Sequence, residues 1–373
     1  MSAVLHVRGR VLAALPGGSS PGAPGEVDVR DELWVVGGRV TWTAPTAPGA
    51  DVTTLEGWVL PGLVDAHCHV GLGPDGPVDR AATRAQAETD RDAGALLLRD
   101  AGSPADTRGL DGEVDLPRVL RAGRHVARTR RYLRGVADEV EPEDLVEAVR
   151  AQARAGDGWV KLVGDWIDRD SGDLAPCWPA GALAAAVAAA HAEGARVAVH
   201  TFSEAALPDL LAAGVDCLEH GTGLDDAGVA LAAARGVALT PTLVNTANFP
   251  AIAARGSAKF PRYAAHMRAL HARRESVVRA AAEAGVRLLV GTDAGTVMPH
   301  GLAGAEVAAL VTAGLSPLQA LDAATWGARS YLRAPVLEEG APADLVVLPA
   351  DPREDVTVLA APRAVVLRGR AVA

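Results

Sequence analysis

The sequence predicts an α/β protein: a (β/α)8 TIM barrel with a small composite β-sandwich domain formed by the N- and C-terminal segments. Two patterns carry this prediction. Between residues 58 and 334, short apolar segments that end in polar residues alternate with Ala-, Leu- and Arg-rich stretches of helical period. At both chain ends the sequence instead has short β-branched runs bounded by turn residues.

The two terminal segments of the chain are predicted to form one β domain. Four stretches within them have strand character: 4–15, 32–43, 344–348 and 364–367. Gly37 and Gly38 indicate a tight hairpin inside the second, and a loop rich in Pro, Gly and Ser at 16–27 precedes it. Because each segment is too small to bury a face alone, we expect one composite domain made of residues 1–57 and 335–373.

The remaining region, 58–334, supplies the barrel. Eight strands are expected, at 59–69, 95–100, 118–126, 159–163, 196–200, 215–220, 237–242 and 286–293. Helical stretches lie between them, and three of these stop at a glycine: 180–193, 204–213 and 262–284. Eight such units fit a barrel, whose usual length is about 250 residues. A doubly wound open sheet is the competing architecture, but no GxGxxG motif follows a strand.

Composition excludes several classes of protein. The formal net charge of −10 disfavours nucleic-acid binding, because phosphate backbones are repelled. The three cysteines show no CxxC spacing, so a disulfide framework is not expected and a reducing cytoplasm fits best. No uncharged apolar run approaches the roughly 18 residues of a membrane span. We therefore expect a cytoplasmic protein with a small-molecule partner, and we leave homo-oligomer formation open.

Polar residues at the ends of the predicted strands are the candidates for chemistry, since strand carboxyl ends form the active-site face of a barrel. Five such residues are His67, His69, His200, His220 and Asp293. A lone His-x-His pair is as typical of structural histidines as of a metal site. The full set at one end of different strands favours a metal site, because imidazole and carboxylate are zinc-type ligands.

Lys161 lies inside the apolar strand 159–163, where an isolated ammonium group would be costly. It could reach the barrel rim or pair with Asp165. However, the chain has only one other lysine, Lys259, and uses arginine for nearly every other positive charge. A neutral lysine amine can be carboxylated to an anionic carbamate that bridges two cations, whereas a guanidinium group stays protonated.

These motifs together resemble the amidohydrolase superfamily, and within it the imidazolonepropionase-like and prolidase-like members. The motifs are LPGLVDAHCH at 60–69, VKL at 160–162, VH at 199–200, EHG at 219–221 and GTDAG at 291–295. The resemblance spans essentially the whole chain. It implies two divalent metal ions, with zinc favoured over manganese and iron. His67, His69 and Asp293 would bind the first ion, His200 and His220 the second, and N6-carboxylated Lys161 both.

The implied chemistry is hydrolysis of an amide-like C–N bond in a dipeptide, an N-acyl amino acid, a lactam or a urea. Two cations about 3.5–4 Å apart lower the pKa of a bridging water towards 7 and polarise the substrate carbonyl. Asp293 would serve as general base towards the metal-bridging hydroxide and then as general acid towards the leaving group.

Four further residues are candidates for substrate contact. His125 lies near the end of the third predicted strand, and a structural role is equally open to it. Trp166 follows the Lys161 strand in a bulky, acidic stretch where prolidase-like members usually have small residues, and it could instead cover the barrel edge. Tyr132 and Asn245 follow the third and seventh predicted strands.

Two alternative functions stay open. The first is a mononuclear aminohydrolase that deaminates a heterocyclic amine. Such enzymes place an acidic proton shuttle three residues after the fifth-strand histidine, whereas Glu204 lies four residues after His200. Lys161 would also have no purpose there. The second alternative is a non-catalytic scaffold of the same fold.

Overall fold

The computed structural model describes residues 4–14, 27–46 and 51–373, and it has a mixed α/β fold. The predicted loop at 16–27 and Leu15 therefore lie outside the described residues, apart from Val27. The strands are β1 (Val4–Ala14), β2 (Asp28–Val36), β3 (Arg39–Thr41), β4 (Val52–Pro61), β5 (Leu63–Cys68), β6 (Leu72–Gly73), β7 (Gly76–Pro77), β8 (Ala95–Asp100), β9 (Arg118–Arg121), β10 (Val126–Arg128), β11 (Asp138–Val140), β12 (Trp159–Val163), β13 (Asp165–Asp168), β14 (Asp173–Pro176), β15 (Arg196–Thr201), β16 (Cys217–His220), β17 (Ala238–Thr240), β18 (Leu345–Leu348), β19 (Ala364–Leu367) and β20 (Arg370–Ala371). The helices are α1 (Arg80–Asp92), α2 (Leu145–Ala155), α3 (Ala180–Ala192), α4 (Leu207–Ala213), α5 (Asp226–Arg235), α6 (Leu243–Thr246), α7 (Phe249–Gly256), α8 (Pro261–Glu283), α9 (Ala303–Thr312), α10 (Pro317–Ala324) and α11 (Trp326–Tyr331).

Strands from both ends of the chain share one seven-stranded sheet, in the order β20-β19-β18-β4-β1-β2-β3. β4 pairs with β1 in parallel and with β18 antiparallel, so it joins the two ends. Val7, Val59, Val347 and Val366 are buried in the hydrophobic cluster of this sheet. β4 continues to Pro61, so the expected domain boundary after residue 57 falls inside a strand.

The central parallel strands form two sheets, β5-β8-β9 and β11-β10-β12-β15-β16-β17. The third predicted strand, 118–126, is divided between them as β9 and β10. Gly123 takes a left-handed φ of 69° at the break. The backbone N–H of Arg124 donates to the side chain of Gln152 in α2 instead of to a neighbouring strand. This side-chain contact interrupts the ladder that the sequence pattern predicts.

The eighth predicted strand, 286–293, was expected to be regular, and it is not. Isolated parallel bridges join Leu288 to Leu239 and Ala294 to Cys68, so the segment lies between β17 and β5. The backbone N–H of Val290 donates to the carbonyl of Ala323 in α10. That hydrogen bond takes a donor that a continuous ladder would need.

The predicted helices form with small shifts at their ends. The stretch 180–193 becomes α3, and 262–284 becomes α8, which begins one residue earlier at Pro261. The stretch 204–213 begins as a 3₁₀ turn, Glu204–Ala206, before α4 starts at Leu207. Among the described residues, no helix is both long enough and apolar enough to cross a membrane.

β5, β8, β12 and β16 are buried along their whole length. Their side chains therefore meet protein on both faces, as in other parallel sheets. A polar residue in these strands has no access to bulk solvent. It must find its partners at the strand ends or in the interior.

Candidate metal centre

The strands bring the six predicted metal-site residues to one place. His67, Lys161, His200 and His220 lie in β5, β12, β15 and β16, and all four are buried. His69 follows β5, and Asp293 lies in the bridged segment, next to Ala294. The Asp293 side chain is the most exposed of the six, at 18%, whereas the others are at most 4% exposed. The site is therefore interior, with one partly open side.

Two of the histidines contact the Asp293 carboxylate directly. Its Oδ1 lies 3.1 Å from His67 Nε2 and 3.2 Å from His69 Nε2. Lys161 Nζ lies 3.4 Å from the same His67 nitrogen. Ligand-type atoms of His67, His220 and Asp293 all lie within 4.8 Å of one another, close enough to share an ion.

The other two histidines face each other. His220 Nε2 lies 3.0 Å from His200 Nδ1. The second ring nitrogen of His200, Nε2, is buried and has no hydrogen-bond partner among the described residues. A buried imidazole nitrogen without a partner is costly, and binding a cation is one way to satisfy it.

Outer hydrogen bonds fix the orientation of three of these imidazoles. His67 Nδ1 donates to Glu219 at 2.7 Å, and His69 Nδ1 donates to the carbonyl of Gly102 at 2.9 Å. His220 Nδ1 lies 2.7 Å from Thr242 Oγ1. With Nδ1 engaged in this way, each Nε2 lone pair faces the centre, as in carboxylate–histidine–metal arrangements.

Glu219 and Arg99 form a buried ion pair behind His67 that the sequence reasoning missed. Arg99 Nη2 donates to Glu219 Oε1 at 2.5 Å, and Arg99 Nε donates to the carbonyl of Ala66. The guanidinium also lies 4.5 Å from the ring centre of Trp159. Arg99 and Glu219 are both charged residues in buried strands. Because a buried charge needs a buried partner, this pattern was the signal from which a buried ion pair could have been predicted.

Burial sets the protonation of the centre. It lowers the pKa of Lys161 to about 8 and that of His220 to about 3, and it lowers the pKa of His200 well below its usual value. Burial alone would raise the pKa of Asp293, but His67 and the other histidines hold it well below the usual range. At neutral pH these groups favour neutral imidazoles beside an ionised carboxylate, which are the forms that bind cations.

His69 differs from the other imidazoles. Burial lowers its pKa, but the hydrogen bond and charge of Asp293 outweigh that effect and raise the pKa above its usual value. In the absence of a cation, the proton on this imidazole balances the carboxylate. A metal ion would take the place of that proton.

Three non-glycine residues at the centre have left-handed backbone conformations: His220 with φ of 66°, Asp293 with φ of 58° and Thr242 with φ of 47°. This conformation is uncommon for such residues, and Thr is β-branched. Strain of this kind persists where surrounding structure fixes it, and it clusters at functional sites.

The four weaker candidates all border the centre. His125 donates from Nδ1 to the carbonyl of Gly102, and its Nε2 is buried without a partner among the described residues. The Tyr132 ring lies 4.9 Å from the ring of His125 and 5.8 Å from that of His200. The Trp166 ring lies 5.5 Å from that of His200. Asn245 Nδ2 donates to Asp293 Oδ2 at 2.6 Å.

Glu204, the acidic group that a deaminase would need, is engaged elsewhere. Its carboxylate oxygens bond His266 and Arg273, each at 2.8 Å. The side chain is also 49% exposed. It therefore lies on the surface with these two partners and does not serve as a proton shuttle at the centre.

The chain is similar to several known proteins. The chain is 55% identical over 367 residues to an uncharacterized protein of Mycobacterium tuberculosis, covering 98% of this chain and 95% of that one. It is 29% identical over 238 residues to ochratoxinase of Aspergillus niger, covering 62% of this chain and 48% of that one. A solved Xaa-Pro dipeptidase with bound methionine has the same fold, with a TM-score of 0.81, 24% identity and coverage of 100% and 99%.

The resemblance read from the motifs is confirmed by a family-wide comparison. The profile described as the amidohydrolase family matches residues 58–372. This range takes in every residue of the candidate metal centre and, of the seven-stranded sheet, the end of β4 together with β18, β19 and β20. The chain belongs to the amidohydrolase family.

Proposed function

We propose that this protein is a binuclear metal-dependent amidohydrolase that cleaves an amide-like C–N bond. One observation carries the proposal: six side chains distant in sequence, five of them metal-ligand types and one a buried lysine, meet at a single interior place. Family membership supports the same reaction class.

The donor set fits two divalent ions, with zinc favoured because imidazole and carboxylate predominate. His67, His69 and Asp293 would hold the first ion. His200 and His220 would hold the second, which is consistent with the 3.0 Å between His200 Nδ1 and His220 Nε2. Lys161, carboxylated on its amine, would bind both.

The ions, when bound, would supply an activated water and a polarised substrate carbonyl. The protein's own groups would do the rest. Asp293 would take the proton of the attacking water and deliver it to the leaving nitrogen. The amide of Asn245 holds the second oxygen of Asp293 at 2.6 Å, which limits rotation of the carboxylate during the transfer.

Residues on the partly open side of the metal centre would contact the substrate. Because Nδ1 of His125 donates to Gly102, its partnerless Nε2 is an acceptor available to a substrate N–H or O–H, and Tyr132 and Trp166 border the same space. Dipeptides, N-acyl amino acids, lactams and ureas are the small molecules to test. The likeness to a Xaa-Pro dipeptidase and to ochratoxinase supports hydrolytic substrates of this kind.

The proposed architecture is a barrel that carries the metal centre, together with a composite β domain. The bridges from the segment 286–294 to β17 and β5 support a closed (β/α)8 barrel over residues 58–334. The seven-stranded sheet, with residues 1–57 and 335–373, would form the composite sandwich-type domain. Barrel closure would place the metal centre at the carboxyl ends of the strands.

Elemental analysis together with Asp293→Asn tests the proposal. Protein purified with zinc or manganese supplied should hold about two ions per chain and hydrolyse at least one C–N substrate. The variant should lose about 10²–10⁴-fold in kcat, the usual contribution of a general acid–base group. Asp226→Asn, at an exposed position of α5, is the matched control. Full activity of Asp293→Asn would refute the mechanism, and a metal-free inert wild type would support the scaffold alternative.

A further inference from the structure

The segment after β12 forms a hairpin, β13–β14, that the metal ligands do not use. Its Trp166 is partly exposed, and the indole ring lies 4.7 Å from the ring of Tyr132 and 5.5 Å from that of His200. Phe202 also lies against His200, with ring centres 4.4 Å apart. The centre is therefore bordered by aromatic faces on the side of His200.

The hairpin is fixed at its start by a buried carboxylate. Asp165 accepts hydrogen bonds from the hydroxyl of Thr201 and from both the backbone N–H and the hydroxyl of Ser203, at 2.7–3.0 Å. The backbone N–H of Phe202 donates to the same carboxylate. These donors all follow His200 in the chain, so the hairpin and the His200 strand are held together.

Arg131 fixes the other side of the hairpin. Its guanidinium bonds Asp168 at 2.9 Å and the carbonyls of Trp166 and Ala175 at 3.0 and 2.8 Å. In addition, the backbone N–H of Tyr263 in α8 donates to the carbonyl of Gly172. The hairpin that carries Trp166 is thus held in place before any ligand binds. We call Trp166 and the adjacent Tyr132 the aromatic wall, and a ligand can stack on this wall without first ordering it.

No buried or partly buried arginine of the described stretch 118–134 is free to bind a substrate carboxylate. Each already bonds an acceptor of the chain: Arg118 with Asp344, Arg121 with Asp111, Arg124 with the carbonyl of Val136, Arg128 with the carbonyl of Cys177, and Arg131 with the hairpin. The carboxylate of Asp168 is paired with Arg131 in turn, so a substrate carboxylate would find no free buried guanidinium partner in this stretch.

We propose that Trp166, with Tyr132 beside it, binds a flat aromatic group next to the scissile bond of an uncharged amide substrate. This inference rests on the proposed hydrolase function and narrows its substrates to aryl amides without a carboxylate. Aromatic faces in contact contribute beyond simple burial, and a neutral substrate avoids the unpaired negative charge that a dipeptide would bring.

Three substrates test this inference with the metal-loaded protein: an N-aryl amide, the same amide with a cyclohexyl ring, and the N-aryl amide with a ring carboxylate. Trp166→Leu keeps apolar volume but removes the aromatic face, and it should lower the aryl to cyclohexyl ratio of kcat/KM by about tenfold. Trp166→Phe should restore the ratio to within about threefold. Wild type should prefer the uncharged aryl amide over the carboxylate-bearing one.

Trp34→Ala is the matched control, because Trp34 is a partly exposed tryptophan of β2, stacked on His6 in the seven-stranded sheet. The metal content of each variant shows whether a change in kcat/KM comes from loss of bound metal or from loss of the aromatic ring at position 166. An unchanged ratio in Trp166→Leu, or a wild-type preference for the cyclohexyl or carboxylate-bearing substrate, would overturn the inference while leaving hydrolysis intact. Absence of hydrolysis with every substrate would overturn the proposed function and this inference with it.

Discussion

Lys161 and Lys259 are the only lysines of the chain, and they occupy opposite environments. Lys259 is exposed in the loop before α8, whereas Lys161 is 3% exposed and touches His67. Burial lowers the Lys161 pKa to about 8, which raises the fraction of neutral amine that can react with carbon dioxide. An arginine at this position could not take that form.

Lys161→Arg is therefore expected to lose the bridging ligand. Metal content should fall from about two ions per chain to one or fewer, and kcat should fall by about 100-fold or more, because one bridging ligand serves both ions. Inductively coupled plasma analysis and initial rates measure the two effects. Lys259→Arg is the matched control and should resemble wild type. If Lys161→Arg retained both ions at full activity, the carbamate would be ruled out.

Glu219 acts on the centre through His67 and not by direct contact with substrate. Its carboxylate bonds both His67 and Arg99, and all three side chains are at most 1% exposed. Glu219→Gln should weaken metal binding by about 10–100-fold, the range found for partners of metal-bound histidines. The amide cannot neutralise Arg99, so stability should fall as well.

Competition against a chelator of known affinity measures that change. Glu32→Gln is the control, because Glu32 makes a 2.7 Å contact with His6 at the surface, where its side chain is 48% exposed. That substitution should leave metal affinity unaltered. Equal affinities in Glu219→Gln and wild type would mean that the His67 orientation does not depend on the carboxylate.

The candidate metal-site residues could be predicted from the sequence because polar residues such as His67 and Lys161 interrupt apolar strands. Arg99 and Glu219 carry the same signal, but the sequence does not reveal that they pair across 120 positions. The contact of Asn245 with Asp293 could not be predicted either, because it depends on where α6 lies in the fold. The sequence pattern predicts which residues are buried, but not which distant residues contact each other.

At the scale of elements, α6 is a four-residue helix that supports two metal-site residues. Thr242, just before it, contacts His220, and Asn245 within it contacts Asp293. The backbone N–H groups of Leu243 and Val244 donate to the buried carboxylate of Glu306 in α9, at 2.7 and 2.8 Å. So short a helix is not stable alone, and Glu306 satisfies its first donors.

Glu306 also makes stability depend on pH. Burial raises its pKa to about 8 from 4.5, so the folded chain holds a proton that the unfolded chain releases between these values. The contribution of Glu306 to the free energy of unfolding is therefore complete below pH 4.5 and is lost as the pH rises towards 8. The free energy of unfolding falls by at most about 1.4 kcal/mol per pH unit over this range.

Urea midpoints from pH 5.5 to 8.5, measured with a chelator so that metal binding does not contribute, test this dependence. The wild-type midpoint should fall with rising pH. Glu306→Gln should be less stable at low pH, because its amide offers one acceptor oxygen for two donors, but its midpoint should fall less steeply. Glu283→Gln, at an exposed position, should keep the wild-type slope. Parallel slopes for all three proteins would contradict this assignment.

Elements with continuous apolar runs follow the sequence closely. The bounds of β8 and β12 equal those that the pattern predicts, because a buried parallel strand needs apolar residues on both faces. The hairpin β13–β14 has no such pattern, and it depends on Asp165 and Arg131 for its position. The bridged segment 286–293 loses regular pairing through one contact with α10. Tertiary contacts decide these elements, and local sequence does not.

At the scale of the whole molecule, the seven-stranded sheet and the metal centre are directly connected. β4 ends at Pro61, and β5, which carries His67, begins at Leu63. Arg329 holds the carbonyl of the intervening Gly62 with two hydrogen bonds, at 2.9 and 2.7 Å. The position of β4 in the sheet therefore sets where the His67 strand enters the interior.

Removal of the C-terminal strands should consequently abolish metal binding as well as destabilise the sheet. A chain that ends at Ala343 lacks β18, which pairs with β4, and β19, and every residue of these two strands is buried. Seven of them are Val or Leu, and at about 1.5–3 kcal/mol each their burial is comparable to or larger than the usual net stability of a domain. We expect an aggregated product with less than about one ion per chain.

The control for that truncation ends at Arg370 and removes the last residue of the exposed edge strand β20 and the two residues after it, whose backbone groups bond Val365 of β19. It should fold and bind metal like the full chain, because β18 and β19 stay in place against β4. Sedimentation of the expressed protein and elemental analysis distinguish the two truncations. A folded chain ending at Ala343 with two bound ions would show that the barrel region orients β5 without the sheet, since the Arg329 contacts with Gly62 would then suffice to hold the His67 strand.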